Sequence, residues 1–244
     1  MTTRTHVHSR PRITFWLPLL LTVAALCAAG RAHAVVALPQ GFDVDAEGWT
    51  GLSCVNPGIC TAGSSPLAIQ HLDTGGNPGG YIRTQDPSSL TAARLVAPGS
   101  LMSGLAVGQI LSFDALVQRN GGDGEYDGAL APLVTIESAV GILIYVTFDL
   151  PLIDGPWKHF DVPLAAGADW RIFDGVSVRE LNAGEFETVF AAMTHLTLIG
   201  EWLNDTEDLD TGGIDNVNLA AVPVPPALPL LAPALGWLAY RRRR

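Results

Sequence analysis

The chain has 244 residues and a formal net charge of −10, but its charges are unevenly distributed. The segment 35–221 holds all 24 acidic residues and only six basic ones, which gives it a formal charge of −18. A segment with this much negative charge excludes nucleic acid and anionic lipid as partners. It is compatible with neutral glycans, cationic partners or divalent cations. Alternatively, the charge serves solubility alone.

The first 34 residues have the three parts of a secretory signal peptide. A positive start contains Arg4, Arg10 and Arg12. Residues 13–30 are almost wholly apolar, and Ala32-His33-Ala34 has the A-x-A form of a cleavage site. We therefore predict a signal peptide at 1–34 that is removed after Ala34. The alternative is an uncleaved anchor helix, because the apolar run is long enough to span a bilayer.

The segment 35–221 predicts a single all-β domain, since short runs rich in β-branched and aromatic residues alternate with clusters of Gly, Pro, Asn and Asp. The predicted strands are 67–72, 80–84, 109–117, 133–137, 142–148, 158–164, 196–202 and 214–220. The run 142–148 is apolar throughout, which is typical of a strand buried on both faces. Many short strands with regular turns predict a jelly roll or galactose-binding-like β-sandwich.

One short helix is predicted within this β domain. Asn182 and Glu185 have the spacing of a capping box, in which each side chain bonds the backbone N–H of the other residue. The apolar residues that follow at spacings of three and four are Phe186, Val189, Phe190 and Met193. This stripe predicts a helix that packs against a sheet.

Two cysteines remain after removal of the signal peptide, Cys54 and Cys60, and a turn sequence separates them. In an oxidising compartment they are predicted to form a disulfide. A loop this short contributes about 2 kcal/mol in the chain-entropy model. The histidines His71, His159 and His195 are isolated in sequence, so they are interpreted as surface or packing residues.

Five phrases of the central segment together resemble the laminin B domain, also called laminin domain IV. They are GGNPGGYI at 75–82, LSFD at 111–114, WKHFDVPL at 157–164, LTLIGEW at 196–202 and DTGGIDNVNL at 210–219. The resemblance implies a β-sandwich of the galactose-binding or carbohydrate-binding-module type with an extracellular, non-catalytic role. It carries over no ligand-binding residues. The acidic, glycine-rich segment 121–128 departs from the family and predicts a mobile loop.

The C-terminal segment 222–244 has the layout of a sorting signal. Val-Pro-Val-Pro-Pro at 222–226 precedes an apolar run at 227–240, and four arginines close the chain. As a helix the run would be about 21 Å long against about 30 Å of hydrocarbon core. The segment resembles the PEP-CTERM sorting signal of Gram-negative bacteria, which implies export, transient inner-membrane anchoring with the arginines inside, and a C-terminal sorting or processing enzyme. The alternative is a plain transmembrane tail.

A structural Ca²⁺ site is the strongest candidate for bound chemistry. Asp43, Asp45 and Glu47 lie at alternate positions near the start of the domain, and Asp215 lies in the last predicted strand. The first and last strands of such sandwiches lie close together, so these carboxylates could provide the oxygen ligands that Ca²⁺ prefers. The alternative is solvated acids on a strand edge.

Aromatic side chains could form a platform on which sugar rings stack. The available residues are Trp49, Tyr81, Tyr126, Trp157, Trp170 and Trp202. Trp49, Trp157 and Trp202 lie in apolar patterns and are interpreted as core residues. Tyr126 and Trp170 lie in polar segments and are the predicted ligand-binding residues.

The sequence contains no G-x-S-x-G elbow, H-E-x-x-H motif or phosphate-binding loop. The prediction is therefore a non-enzymatic protein that binds polysaccharide or surface proteins in adhesion or biofilm formation, at the cell surface, outer envelope or extracellular matrix of a Gram-negative bacterium. One alternative is a glycan-active hydrolase or lyase on a jelly-roll fold. Another is a purely structural spacer.

Overall fold

A computed structural model describes residues 40–54, 59–60, 64–85, 92–119, 125–126, 132–167, 169–204 and 210–221. The predicted signal peptide and sorting tail, as well as most of the acidic loop at 121–128, lie outside these residues. Within them, no helix combines the length and the apolar character required to cross a membrane.

The described residues form fifteen strands and two helices. This confirms the predicted all-β fold with one short helix, and the second helix is a single turn of four residues. The strands are β1 Thr50–Cys54, β2 Ser65–Leu67, β3 Gln70–Gly76, β4 Gly79–Gln85, β5 Ala92–Val96, β6 Gln109–Arg119, β7 Glu125–Tyr126, β8 Val134–Ser138, β9 Gly141–Tyr145, β10 Lys158–Pro163, β11 Trp170–Phe173, β12 Val178–Glu180, β13 Met193–Ile199, β14 Leu203–Asn204 and β15 Asp210–Ala221. The helices are α1 Gly99–Met102 and α2 Ala183–Ala191.

Two antiparallel sheets make up the sandwich. One has eight strands in the order β12-β11-β9-β8-β13-β5-β1-β2, and the other has five in the order β10-β6-β15-β4-β3. A separate pair joins β14 to β7. Residues distant in sequence are therefore neighbours: the last strand, β15, lies at the centre of the five-stranded sheet between β6 and β4.

The core lies between the two sheets and follows from the period-two alternation of strands. In β6 the fully buried residues Leu111, Phe113 and Val117 alternate with polar Ser112. Phe113 packs against Phe160 of β10 with ring centroids 5.5 Å apart. The apolar side chains of the eight-stranded sheet complete the same cluster, including Leu95, Ile136, Leu143 and Leu198.

Most predicted strands are confirmed, with shifts at their ends. The run 67–72 spans a break between β2 and β3. The run 142–148 is too long, because β9 ends at Tyr145 and Phe148 is 90% exposed in the loop that follows. The run 196–202 is displaced, because β13 covers Met193–Ile199 and the chain leaves the sheet at Gly200.

The helix begins as predicted and ends earlier. Asn182 Oδ1 accepts from Glu185 N at 3.0 Å, and Glu185 Oε2 accepts from Asn182 N at 2.9 Å, which completes the capping box. Phe186 and the apolar residues one turn later are buried against the sheet. Met193 does not continue the stripe, because the helix ends at Ala191 and Met193 begins β13.

The disulfide prediction is confirmed. Cys54 at the end of β1 is bonded to Cys60, with 4.8 Å between their Cα atoms, and both residues are buried. The two ends of the domain are also adjacent, as predicted. Gln40 N donates to Val217 O at 2.8 Å, and Val217 N donates to Gln40 O at 3.0 Å. The start of the described chain is thereby fixed to the last strand.

Candidate functional site

The side of the five-stranded sheet that faces away from the core carries most of the clustered polar side chains. Directly paired residues on neighbouring strands point to the same side of a sheet. Asp114 of β6 is paired with His159 of β10 and with Asp215 of β15, and Gly213 of β15 is paired with Arg83 of β4. We call this surface the outer face. Its side chains are Gln70, Tyr81, Arg83, Asp114, Trp157, His159, Asp161 and Asp215.

Asp114 is the centre of a hydrogen-bond network on the outer face. Its side chain is almost fully buried, and its Oδ1 lies 2.7 Å from His159 Nδ1. Its Oδ2 accepts from Asn77 Nδ2 at 3.1 Å and from Asn216 Nδ2 at 2.7 Å. Both oxygens of this carboxylate therefore have hydrogen-bond partners, three in all, as a buried charge requires.

His159 connects the buried network to solvent. Its side chain is 56% exposed, and its Nε2 lies 3.3 Å from Asp161 Oδ1. The hydrogen bond to Asp114, together with the charges of Asp114 and Asp161, raises the pKa of His159 against the smaller effect of burial. The imidazole is thus held between a buried carboxylate and an exposed one, and it gains a proton more readily than a free histidine.

Asp215 lies beside Asp114 and is fully buried. Its Oδ2 accepts from Asn77 N, and its Oδ1 accepts from Asn216 N at 2.6 Å. Burial raises the pKa of Asp215, the backbone hydrogen bonds lower it, and the charges of Asp114 and Asp43 raise it further. Among the described residues, the basic side chain that contacts this pair of carboxylates is His159, so this part of the outer face is a region of negative potential.

Trp157 supplies an aromatic surface at the start of β10. Its Nε1 donates to Gly75 O at 2.9 Å, and its ring is half-buried. Tyr81 supports it edge to face, with ring centroids 5.2 Å apart. Both rings lie over Gly213, where a Cβ would be 3.2 Å from each of them. The indole is therefore held in one orientation before any ligand arrives.

Arg83 and Gln70 border the aromatic pair on its β4 and β3 side. Arg83 Nε donates to Gln70 Oε1 at 2.8 Å, and both groups are accessible to solvent. Arg83 lies two residues after Tyr81 and so on the same side of β4. Guanidinium and amide groups placed beside an aromatic ring are suited to hydrogen bonds with hydroxyl groups.

The structure brings together two of the four residues predicted to bind calcium. Asp43 and Asp215 both reach the turn between β3 and β4, because a Cβ at Gly79 would collide with Asp43 Oδ1 and one at Gly76 would lie 2.7 Å from Asp215 Oδ2. The other two acids have nearby backbone partners in their own loop. Asp45 Oδ1 accepts from Glu47 N at 2.6 Å, and Glu47 Oε1 accepts from Phe42 N at 3.1 Å.

Calcium binding therefore stays a prediction. In the described part of the chain, no three or more His, Cys, Asp or Glu side chains are grouped so that they could hold a metal ion. Burial and the charges of Asp45 and Asp43 raise the pKa of Glu47, against a hydrogen bond from Phe42 N. The carboxylates near the domain start thus repel one another, and a bound cation would relieve that repulsion.

The aromatic side chains are placed differently from the prediction. Trp170 is only 1% exposed; its Nε1 donates to Pro163 O, and its ring packs against Phe186 of α2, so this placement runs against a stacking role. The side chain of Tyr126 lies outside the described residues. Trp49 and Trp202 are buried as predicted, whereas Trp157, interpreted as a core residue, lies on the outer face.

The sequence signal for the outer face was present in 157–163. Read with a period of two, it places Trp157, His159 and Asp161 on one side of β10 and Phe160 and Val162 on the other. His159 nevertheless looks isolated in the sequence, because its partner Asp114 is 45 residues away. Asp210 is also buried, and it accepts from Trp202 N and Leu203 N.

Comparison with known proteins supports the fold. No protein-family model and no curated protein matches the chain. Among solved structures, the L4b domain of human laminin alpha-2 matches with a TM-score of 0.52 and 12% identity over 73% of this chain and 94% of that one. The CBM22-1 xylan-binding domain from Paenibacillus barcinonensis Xyn10C matches with a TM-score of 0.40 and 12% identity over 79% and 97%.

A third solved structure, the family 11 carbohydrate-binding module of Clostridium thermocellum Lic26A-Cel5E, has a TM-score of 0.40 and 11% identity over 75% of this chain and 95% of that one. Of these three, the laminin domain alone has a TM-score above 0.5. The sequence resemblance to laminin domain IV is therefore confirmed at the level of the fold: the chain forms a laminin-like β-sandwich.

Proposed function

We propose that this domain is an exported, non-catalytic module that binds polysaccharide through its outer face and serves in adhesion or biofilm formation. The observation that carries the proposal is the fixed indole of Trp157, with the polar pair Arg83 and Gln70 on one side and the exposed acid Asp161 on the other. A sugar ring has an apolar C–H face and a polar rim of hydroxyl groups. This surface offers a partner to each of them.

The geometry of the carboxylates favours binding over the alternative of a glycan-active enzyme. A glycosidase requires two carboxyl groups that reach the substrate from either side of the scissile bond. Asp114 and Asp215 are neighbours, but both are buried and each accepts two hydrogen bonds from the asparagines Asn77 and Asn216. Such groups hold the sheet and the β3–β4 turn together and are poorly placed to exchange protons with a sugar.

Export is proposed from both ends of the chain. The leader 1–34 would direct secretion, and the tail 222–244 would hold the protein at the inner membrane until a sorting enzyme acts on it. The disulfide between Cys54 and Cys60 supports a destination outside the reducing cytoplasm. Mass spectrometry of the protein recovered from the cell surface would test this, and an intact chain with free thiols would contradict it.

Glycan binding is tested by replacing the aromatic surface. We expect Trp157→Ala to weaken binding to the host exopolysaccharide at least tenfold, or about 1.4 kcal/mol, in affinity electrophoresis or calorimetry. Phe148→Ala is the matched control, because it removes an aromatic ring that is 90% exposed in the loop after β9. Equal affinities of the Trp157→Ala variant and the unmodified protein would contradict the proposal.

Catalysis is tested on the same material. Prolonged incubation of the protein with exopolysaccharide should release neither reducing ends nor unsaturated sugars. Release of either product, lost on substitution of Asp114 or Asp161, would replace the binding proposal with the hydrolase or lyase alternative.

A further inference from the structure

The charges of the outer face are unevenly distributed across its strands. Asp161 of β10, Asp114 of β6 and Asp215 of β15 place a carboxylate on each of three consecutive strands. Of these, Asp161 is open to ligand, with 64% of its side chain exposed. The basic side chains that the described residues place on this face are His159, which lies between two of the acids, and Arg83.

Arg83 is too far away to neutralise the acidic strands. It belongs to β4, three strands from β10, and strands are about 4.8 Å apart, so it lies roughly 14 Å from the row of Asp161. Its Nε is already bonded to Gln70. The nearest lysine, Lys158, is paired with Asp149. A ligand seated on Trp157 and running along β10 passes His159 and then reaches Asp161. Even a protonated His159 carries one positive charge against the three carboxylates, so these strands keep a negative balance.

We infer that the outer face selects polysaccharides that carry free amino groups over neutral and acidic ones. This inference rests on the proposed function and names its ligand class. Trp157, directly before β10, and His159 and Asp161 within it follow one another on the same side of the sheet, about 6.6 Å apart. A glycan that stacks on Trp157 thus extends over Asp161, whose carboxylate accepts hydrogen bonds from a sugar ammonium group and repels the carboxylate of a uronic acid.

The formal charge of −18 on segment 35–221 acts in the same direction at longer range. It raises the local concentration of a cationic chain and excludes an anionic one, and salt screens this effect. Stacking on the indole does not depend on charge. The two contributions can therefore be separated by comparing glycans that share a backbone but differ in charge, and by repeating the comparison at high salt.

The experiment uses the full chain, expressed with its own leader and purified after export, and three probes. Two are β-1,4-linked hexamers with the same backbone, one of glucosamine with a free, charged amine and one of N-acetylglucosamine with a neutral acetylated amine. The third is a hexamer of galacturonic acid. In mildly acidic, low-salt buffer we expect the glucosamine hexamer to bind about tenfold more tightly than the acetylated one, and the galacturonic acid hexamer least tightly. High salt should reduce the preference for the amine.

Two variants assign the preference to this face. Asp161→Asn should reduce the preference for the amine several-fold while binding of the acetylated hexamer stays within about twofold. Glu187→Gln removes the same charge from an exposed position on α2, whose contacts are with β8 and β9 of the other sheet, and should preserve the preference. Trp157→Ala should weaken binding of both hexamers.

Each outcome has a distinct meaning. If the acetylated or the acidic hexamer binds as tightly as the amine, the inference about ligand class is overturned while glycan binding stands. If Asp161→Asn and Glu187→Gln act equally, the preference comes from the charge of the whole domain and the assignment to the outer face is wrong. If neither these hexamers nor the host exopolysaccharide bind, the proposed function fails and this inference fails with it.

Discussion

Gly212 and Gly213 are adjacent in β15 but face opposite sides of the sheet, so replacing each with alanine tests the core and the outer face separately. A Cβ on Gly212 would collide with Gly200 O and lie 2.7 Å from the carbonyl carbon of Gly200. That carbonyl cannot retreat easily, because it accepts from Thr84 Oγ1 at 2.6 Å. The three atoms nearest to a Cβ on Gly213 belong to the rings of Tyr81 and Trp157, at 3.2 Å.

The expected magnitudes differ accordingly. Overpacking costs about 1–3 kcal/mol, and a clash with fixed backbone places Gly212→Ala near 3 kcal/mol. Gly213→Ala needs a shift of a few tenths of an ångström in two rings, a cost near 1 kcal/mol. Alanine also reduces the entropy of the unfolded chain, which stabilises the fold of either variant by about 0.4–1 kcal/mol. The net losses are about 2–3 kcal/mol for Gly212→Ala and below about 1 kcal/mol for Gly213→Ala.

Thermal unfolding measures both values. For a domain of this size 1 kcal/mol corresponds to about 2–4 °C, so Gly212→Ala should lower Tm by about 4–12 °C and Gly213→Ala by less than about 4 °C. Gly213→Ala should nevertheless weaken glycan binding, because it displaces the indole of Trp157. Equal losses of Tm, or a larger loss for Gly213→Ala, would refute the assignment of the two glycines to opposite faces.

Three further predictions concern protons, a metal ion and the helix. The raised pKa of His159 means that its protonated form stabilises the fold below about pH 6.5, and that this contribution is lost as the pH rises through the folded-state pKa. His159→Asn should therefore lower Tm more in mild acid than in mild alkali, and equal losses would contradict the ion pair with Asp114. If the predicted calcium site exists, a chelator lowers Tm and Asp215→Ala abolishes that effect; an unchanged melting curve would dispose of the site. Asn182→Ala should cost about 1 kcal/mol through the lost cap, measured by urea unfolding, and Glu187→Gln on the same helix should cost almost nothing.

The alternation of apolar and polar residues was sufficient to predict the long strands. β6 and β10 each place phenylalanine, leucine or valine on one side, and sequence alone reveals that pattern. Strand β5 is not predicted, because a charged residue, Arg94, occupies its middle. In the structure Arg94 is buried, and its guanidinium donates to Thr197 Oγ1 and Pro132 O. The position of a charged residue in a strand depends on partners that pattern analysis does not reveal.

The outer face was harder to predict for the same reason. Asp114 bonds residues that are 37, 45 and 102 positions away, and a sequence does not display contacts over such separations. Trp170 appeared exposed because its neighbours are polar, yet α2 covers it with Phe186. Local composition predicted the elements, whereas burial of the aromatic residues was decided by which element packs on them.

The position of β15 has a mechanical consequence. The strand that leads to the C-terminal segment is paired with β6 at Asp210 to Asp215 and again at Asn218 to Ala221, and with β4 at Thr211 to Ile214. A pulling force that enters through Ala221 therefore runs along the strand and loads the hydrogen bonds to β6 in shear, with those to β4 further along, instead of opening one row bond by bond. A domain tethered through this end and loaded through a ligand on its sheet is built to resist shear.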